Sequence, residues 1–240
     1  MQNKLIKSMI ILFVFSLSLN IAAAGEFRVG FGYIQPGEYR VDNEINPLPL
    51  GMSFVPLIAY RGERLSVLGP NINYSLLKGP ISFGIRLNAA GDRYKSHDLE
   101  ERDSAINAGV VLRFYFLTLS HAADVSGLYN GEVEQLTVGW RLMLSDSLSF
   151  MPSIGKEFLS LEYTNYYYGV KEGESAYYPA YQTNNSVNDI YSARLIYKMS
   201  EDHSFSLSFK HRAFDKVIYD SPTINKQKFS RWAMFWSYKL

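Results

Sequence analysis

The sequence predicts an all-β fold, a transmembrane antiparallel up-and-down β-barrel, and three features lead to this prediction. Apolar and polar residues alternate along most of the chain, the connections come in two lengths, and no long apolar run follows residue 24. A period of two places successive side chains on opposite faces of a strand. Without an apolar segment of helix length, a closed barrel is the remaining way to satisfy every backbone hydrogen-bonding group in lipid.

The first 24 residues predict a cleaved signal peptide. Lys4 and Lys7 supply positive charge, Met9–Leu19 is apolar, and Ala22–Ala24 resembles a cleavage site. The apolar stretch is shorter than the ~20 residues of a membrane-spanning helix, which disfavours a retained anchor. The prediction is a signal peptide over 1–24 and one barrel domain over 25–240, in the outer membrane of a Gram-negative bacterium.

The last segment of the chain shows the alternation most clearly. Its apolar face is interpreted as an aromatic girdle and assembly strand against lipid, formed by Trp232, Trp236, Tyr238 and Leu240 together with Met234. The opposite face is mixed, with Ser237 and Lys239 among its residues. A soluble β-sandwich would also alternate. The barrel is favoured because the polar faces are rich in Ser, Gly and Arg and the aromatic residues lie near strand ends.

Short and long connections alternate between the remaining segments. The short ones are 61–63, 78–80, 116–117, 145–147 and 200–202, and the long ones are 35–51, 91–103, 126–131, 159–187 and 214–227. In an outer-membrane barrel the short turns face the periplasm and the long loops face outward. Residues 64–77 form one strand or, with a break at 68–70, a hairpin. The break restores the alternation, which predicts about twelve strands, with ten as the alternative, and both termini in the periplasm.

Basic residues recur on the faces that the alternation turns inward. They are Arg86, Arg113, Arg141, Arg194, Lys198, Lys210, Arg212, Arg231 and Lys239. No acidic residue falls in the middle of these inward sets. A water-filled lumen with this charge would favour anions. The alternative is a lumen plugged by side chains, with the arginines paired to carboxylates that fold in from the loops.

Two loops carry candidate recognition residues. The longest loop is rich in tyrosine, at Tyr163, Tyr166, Tyr167, Tyr168, Tyr177, Tyr178 and Tyr181. Tyrosines suit recognition of carbohydrate or protein, but a loop covering the barrel mouth would instead bury them against one another. A second loop carries the acidic run Asp98, Glu100, Glu101 and Asp103. This run is either a solvated surface or a site where divalent cations bridge to lipopolysaccharide phosphates.

No residue pattern predicts a catalytic site, a cofactor site or a metal site. The chain has no Cys, and its four histidines lack metal-ligand spacing or a nearby Ser and acid on one strand face. We therefore predict that the protein is not an enzyme. The net charge is +1, and it becomes −1 once the two lysines of the signal peptide are removed. Such a balance argues against nucleic acid as a partner.

Short motifs spread along the mature chain resemble the MipA/OmpV family of outer-membrane proteins, also called the MltA-interacting protein family. In order they are Pro47-Leu48-Pro49, Tyr167-Tyr168-Gly169-Val170, Ser175 with Pro179-Ala180-Tyr181, Ser221-Pro222 and Trp236-Ser237-Tyr238. The family's Pro-x-Tyr-x-Gly motif is degraded to a remnant at Pro36 and Tyr39, before the first of these. Two further positions depart from the family pattern. The chain ends on Leu240 in place of Phe, and 126–131 lacks the expected His, so a role of that His does not transfer.

The resemblance implies a structural or scaffolding role. The best-known family member is described as bridging a lytic transglycosylase and a peptidoglycan synthase, and others as porin-like proteins or adhesins. The expected partners are therefore outer-membrane lipid and lipopolysaccharide, with a lytic transglycosylase and a peptidoglycan synthase as candidate protein partners. The alternative function is a small porin-like permeability barrel with a basic, anion-favouring lumen.

Overall fold

A computed structural model describes residues 25–46, 48 and 52–240. The predicted signal peptide, and Pro47 and Pro49 of the first family motif, lie outside the described residues. The strands are β1 (Glu26–Ile34), β2 (Phe54–Arg61), β3 (Leu65–Leu68), β4 (Asn71–Leu77), β5 (Ile81–Ala90), β6 (Ala105–Phe114), β7 (Leu117–Asp124), β8 (Glu132–Gly139), β9 (Leu142–Met143), β10 (Leu148–Leu159), β11 (Ser186–Lys198), β12 (His203–Ala213) and β13 (Lys228–Lys239). The helices are α1 (Leu161–Tyr168) and α2 (Lys216–Tyr219).

These strands form a closed antiparallel barrel with twelve wall positions. Each strand pairs with its neighbours in the chain, and the pairing of β13 with β1 closes the ring. The segments β8 and β9 are one wall strand, because both pair with β10 in a single register. The strand is interrupted opposite Pro152, which has no N–H to donate to the ladder. The predicted up-and-down barrel is confirmed, with twelve strands rather than ten.

The connections confirm the predicted alternation of short turns and long loops. The start of β1 and the end of β13 lie at the end of the barrel that carries the short turns, which we call the turn end; the opposite end is the loop end. The predicted break in 64–77 is present as the β3–β4 hairpin, whose tip is Gly69-Pro70. Gly69 has φ +54°, a left-handed conformation that favours glycine. The side chain of Asn71 closes the turn by donating to the Leu68 carbonyl oxygen (3.2 Å).

The wall differs greatly in height around the barrel. The strands β10 to β13, which we call the tall wall, have 12, 13, 11 and 12 residues. The strands β2, β3 and β4, the low wall, have 8, 4 and 7 residues. A strand that crosses a membrane at the usual tilt needs about 9–11 residues. The tall wall therefore extends beyond the hydrocarbon region, and the β3–β4 hairpin does not reach across it.

Outward-facing side chains are apolar and exposed, as expected for a surface against lipid. Phe31, Ile85 and Ile106 are examples of such exposed side chains. On β13 the ring of Trp236 lies 5.4 Å from that of Phe31, and the ring of Trp232 lies 5.6 Å from that of Tyr33. The outward face of β13 is thus continuous with the apolar face of β1.

The hydrophobic core lies at the loop end rather than in the middle of the barrel. Its largest cluster combines loop residues with strand ends and includes Tyr39, Tyr163, Tyr168, Phe214 and Ile218. The lower barrel encloses a cavity lined by basic, hydroxyl-bearing and apolar side chains. Within the described residues, neither helix is long and apolar enough to cross a membrane.

Candidate functional site

Helix α1 directs three tyrosines into the mouth of the barrel. It begins directly after β10, where Ser160 caps it by accepting a hydrogen bond from the Tyr163 N–H (3.4 Å). Tyr163 and Tyr167 are four residues apart and so share one face of the helix. Both are buried, as is Tyr168, and the Tyr163 and Tyr167 rings lie 4.6 Å apart. The cap and this spacing are the sequence signals of a helix that the alternation analysis treated as loop.

A buried ion cluster lies beneath these rings. Arg212 of β12 donates to Asp92 (3.0 Å) and to Glu157 of β10 (3.1 Å). Asp92 also accepts a hydrogen bond from the Tyr168 hydroxyl. Burial by itself would raise the pKa of Asp92, but the Arg212 guanidinium and the Tyr168 hydrogen bond outweigh it. The pKa of Asp92 therefore stays well below its ordinary range, and the carboxylate is charged in the folded protein.

The polar groups around Glu157 complete the cluster. Gln135 donates to this carboxylate (3.0 Å), and so does Asn188 (3.2 Å), so its oxygens are satisfied although the side chain is buried. The sequence pattern predicts neither Asp92 nor Glu157 as a functional residue. Glu157 could have been found by extending the inward face of β10 two steps beyond Ser153. Asp92 lies in a loop, where alternation gives no direction.

A second arginine is held without a carboxylate partner among the described residues. Arg40 is buried, and its guanidinium lies 4.5 Å from the centre of the Tyr168 ring and 4.7 Å from that of Tyr94. It donates to the Thr223 hydroxyl (3.0 Å). Arg40 thereby ties the chain just after β1 to the loops that carry the other three residues.

The outer loops are also tied to one another by ion pairs. Arg102 and Glu174 form a buried pair (2.5 Å) that joins the loop after β5 to the loop after α1. Asp98 accepts hydrogen bonds from the Ala176 and Tyr177 N–H groups (2.8 and 3.1 Å). Together with the buried rings and the ion cluster, these contacts form a plug, by which we mean the packed loops and helices that close the loop end.

Below the plug, the barrel encloses a cavity of about 2110 Å³ that is open at the turn end. Among the described residues, nine Lys and Arg side chains line it, against three acidic ones. The predicted inward residues that line it are Arg113, Arg141, Arg194, Lys198, Lys210, Arg231 and Lys239. Lys210 and Arg231 are paired across strands and line its upper part on the tall wall, while Leu48 and Met52 of the loop after β1 line it at the loop end.

The other two predicted inward arginines lie elsewhere. Arg212 belongs to the plug, where it is paired with carboxylates as the plugged alternative expects. Arg86 faces inward beside the low wall and donates to Asn73 (2.7 Å). Among the described residues, Arg141 and Arg194 in the cavity donate to hydroxyl groups, of Ser149 and Ser208, at 3.1 Å in each case, and neither forms an ion pair. The lumen therefore combines a plugged upper part with an open basic lower part.

The predicted recognition residues divide in a similar way. Tyr163, Tyr167 and Tyr168 are part of the plug. Tyr166, Tyr178 and Tyr181 are half-buried, and Tyr177 is 75 % exposed. A role of this loop in recognition stays a prediction, and it falls on the outer tyrosines.

The acidic run of the neighbouring loop is largely engaged within the chain. Glu100 pairs with Lys171 (2.6 Å), and Arg93 pairs with both Glu101 and Asp103 (3.3 and 3.0 Å). In the part of the chain that the structure describes, no group of three or more His, Asp or Glu side chains is arranged to hold a metal ion.

Comparison with known proteins identifies the family. The profile of the family described as MltA-interacting protein MipA matches residues 29–239. The chain belongs to this family. Its relatives include the putative outer membrane protein YiaT of Escherichia coli K12, which is 26 % identical over 86 % of this chain and 88 % of its own length. The 24 kDa outer membrane protein of Pasteurella multocida is 32 % identical over 75 % of each chain.

The MltA-interacting protein of Escherichia coli K12 is 25 % identical over 85 % of this chain and 86 % of its own length. Among solved structures, the NanC porin covers 89 % of this chain and all of its own, with a TM-score of 0.42 and 10 % identity. Membership of the MltA-interacting protein family confirms the resemblance seen in the motifs. The protein is an outer-membrane barrel of a Gram-negative bacterium, so the turn end faces the periplasm and the loop end faces outward.

Proposed function

We propose that this protein is a scaffold of the outer membrane that holds a peptidoglycan-remodelling enzyme at the periplasmic end of its barrel. The main support for this proposal is the asymmetry of the lumen, which is closed by the plug on the outside and opens as a basic cavity toward the periplasm. The name of the MltA-interacting protein supports the same role, since it describes a relative that binds a protein partner. The expected partners are a lytic transglycosylase and a peptidoglycan synthase.

The periplasmic surface suits such a partner for an electrostatic reason. The turns are short, so a stable interface of ~800 Å² per partner must use much of the rim and the cavity entrance. Arg113 and Arg141 are exposed within that entrance. An acidic segment of the partner would complement these two arginines. This complementarity would raise the association rate and the specificity of the complex. Lipopolysaccharide is the proposed contact of the outward apolar face on the outer side of the membrane.

Site-specific photocrosslinking in intact envelopes tests the scaffold. A photoreactive amino acid replaces Ser145 or Ser200 in the periplasmic turns, and a matched control carries it at exposed Glu172 in an outer loop. We expect capture of a murein hydrolase or synthase from the turn positions and not from position 172. If the turn positions capture neither enzyme class at native expression, the scaffold proposal fails.

A second candidate is supported by the size and charge of the cavity. A volume of about 2110 Å³ free of side chains is larger than packing alone requires, and its basic lining would favour anions. Conduction requires the plug to open. Planar-bilayer recording of the purified protein is expected to give an anion-selective current that weakens in Arg113→Gln and Arg141→Gln. Absence of any current, or a preference for cations, excludes this function.

A further inference from the structure

One edge of β2 lacks a neighbouring strand along half of its length. On its β1 side, β2 is paired from Phe54 to Arg61. On its β3 side, it is paired only from Ala59 to Arg61, with one further bond from the Gly69 N–H to the Ile58 carbonyl oxygen (3.0 Å). No strand of the described chain continues this pairing beside Phe54–Leu57.

The residue at the centre of this edge is a proline. Ser53 bonds toward β1, because its carbonyl oxygen accepts from the Ile34 N–H (2.8 Å), while Ile58 bonds toward β3. Backbone groups alternate in direction along a strand, so Pro56 points toward the unpaired side. Proline has no N–H and is found in sheets where no partner strand needs one. Its position therefore agrees with an edge that stays open.

The opposite flank is incomplete as well. β4 begins only at Asn71, opposite Asn88 of β5, while β5 continues to Ala90 toward the loop end. The gap between these flanks has the hairpin tip at Gly69-Pro70 as its floor. We call it the notch: the opening bounded by Phe54–Leu57, Gly69-Pro70 and Ala89-Ala90. At about 3.3 Å per residue, the four residues of β3 rise only ~13 Å, so the floor lies within the hydrocarbon region, whose belt is ~25 Å tall.

The cavity inside the barrel reaches the notch. It is lined by Leu57 and Ala59, whose side chains face the lumen, and by Gly69 and Pro70 of the hairpin tip. The floor of the notch is therefore part of the cavity wall. Above this floor, no strand of the described chain is paired with the β3 side of β2 beside Phe54–Leu57. The lumen thus meets the open edge of β2 directly above the hairpin tip.

We propose that the notch is a lateral portal through which anionic amphiphiles with a single acyl chain pass between the outer leaflet and the lumen. Exposed apolar side chains border the notch, with Phe54 on one flank 76 % exposed and Leu68 at the floor 45 % exposed, and they accommodate the chain. The basic excess of the cavity accommodates an anionic head group. Unpaired backbone groups of β2 would be costly against lipid alone, but a polar head group or its water satisfies them.

Photolabelling of the full mature protein in phospholipid vesicles tests the portal. The probe is a long-chain alkyl sulfonate with a diazirine, and the matched control probe carries a trimethylammonium head. We expect the sulfonate to label lumen-facing Leu57 and Ala59 about tenfold more than the control probe, which corresponds to about 1.4 kcal/mol. Both probes should label outward Phe31 equally. Label confined to outward residues, or equal lumen labelling by the two probes, overturns the proposal.

A pair of variants separates lateral entry from entry through the open periplasmic end. Leu68→Trp places a large ring on the lumen side of the notch floor, and Ile85→Trp adds the same ring on the outward face of β5. We expect Leu68→Trp to reduce lumen labelling by about tenfold, and Ile85→Trp to leave it unchanged. Unchanged labelling in a folded Leu68→Trp protein shows entry from the periplasm and overturns the portal. These results do not depend on a periplasmic enzyme, so they stand or fall separately from the scaffold.

Discussion

The tall wall and the low wall of this barrel differ in length, in pairing and in what they support. Every strand of the tall wall has a partner strand on both sides, although β13 is paired with β1 only from Ala233 to Lys239. The outer ends of the tall wall carry Glu157, Asn188, Arg212 and Phe229, which build the plug. The low wall contributes few residues to the plug and leaves one strand edge open. This difference shows two uses of strand length. Strands that extend beyond the membrane form a surface on which the loops pack, while a shortened hairpin leaves access to the lumen.

The largest test of this comparison removes the cation of the plug. Arg212→Met leaves Asp92 and Glu157 as two buried carboxylates without their partner. We expect the free energy of unfolding in lipid vesicles, measured with urea, to fall by about 3–5 kcal/mol. The matched variant Arg194→Met changes a tall-wall arginine in the open cavity that donates to Ser208 and has no ion-pair partner in the described chain, and it should cost far less. Equal losses in the two variants would contradict the distinction between plug and cavity.

Acid should weaken the plug while sparing the low wall. The pKa of Asp92 is lower in the folded protein than its ordinary value near 4, so the stability from its charge is complete above pH 4. That stability is lost progressively as the pH falls below 4. Urea unfolding of wild type should therefore weaken between pH 5 and pH 3 more than that of Asp92→Asn, which has no carboxylate at this position. A drop of the same size in both proteins would assign the acid effect to other groups.

Removal of a single hydroxyl should have a smaller effect on the plug. Tyr168→Phe keeps the buried ring but loses the hydrogen bond to the charged Asp92, at an expected cost of about 1.5–3 kcal/mol. Tyr177→Phe makes the same chemical change on an exposed ring and should be neutral. Thermal unfolding followed by gel mobility compares the two. If the exposed variant is the less stable one, the outer tyrosines contribute more to the loop end than their exposure indicates.

Two prolines provide the smallest and most direct comparison of the walls. Pro152→Ala adds an N–H that can bond to the Trp140 carbonyl oxygen in the paired tall wall. Pro56→Ala adds one to the open edge of the low wall, where it gains no strand partner. Both variants lose the rigidity of proline, but only Pro152→Ala gains a hydrogen bond to a partner strand. The Pro152→Ala protein should therefore be more stable than the Pro56→Ala protein by about 1 kcal/mol. Urea unfolding measures this difference, and a reversed order would indicate that the edge of β2 is paired.

Much of the fold follows from local rules in the sequence. Alternation determines which side chains face lipid. The inward direction of the arginines and the outward direction of the β13 tryptophans therefore follow from their odd or even position along the strand. The hairpin at Gly69-Pro70 follows from turn chemistry and from the need to keep long loops on one side. The partners of Arg212 do not follow in this way, because Asp92 lies in a loop whose direction no periodicity encodes.

The sequence by itself determined the barrel, its strand order, its membrane faces and its basic lumen, because each depends on near neighbours and a period of two. Only the tertiary structure decided that the mouth is closed and that one side of the wall is low. Both depend on residues far apart in the chain. The plug joins Asp92, Glu157 and Arg212 across the closed sheet. The notch exists because β2 is paired with β1 over more residues than it is paired with β3.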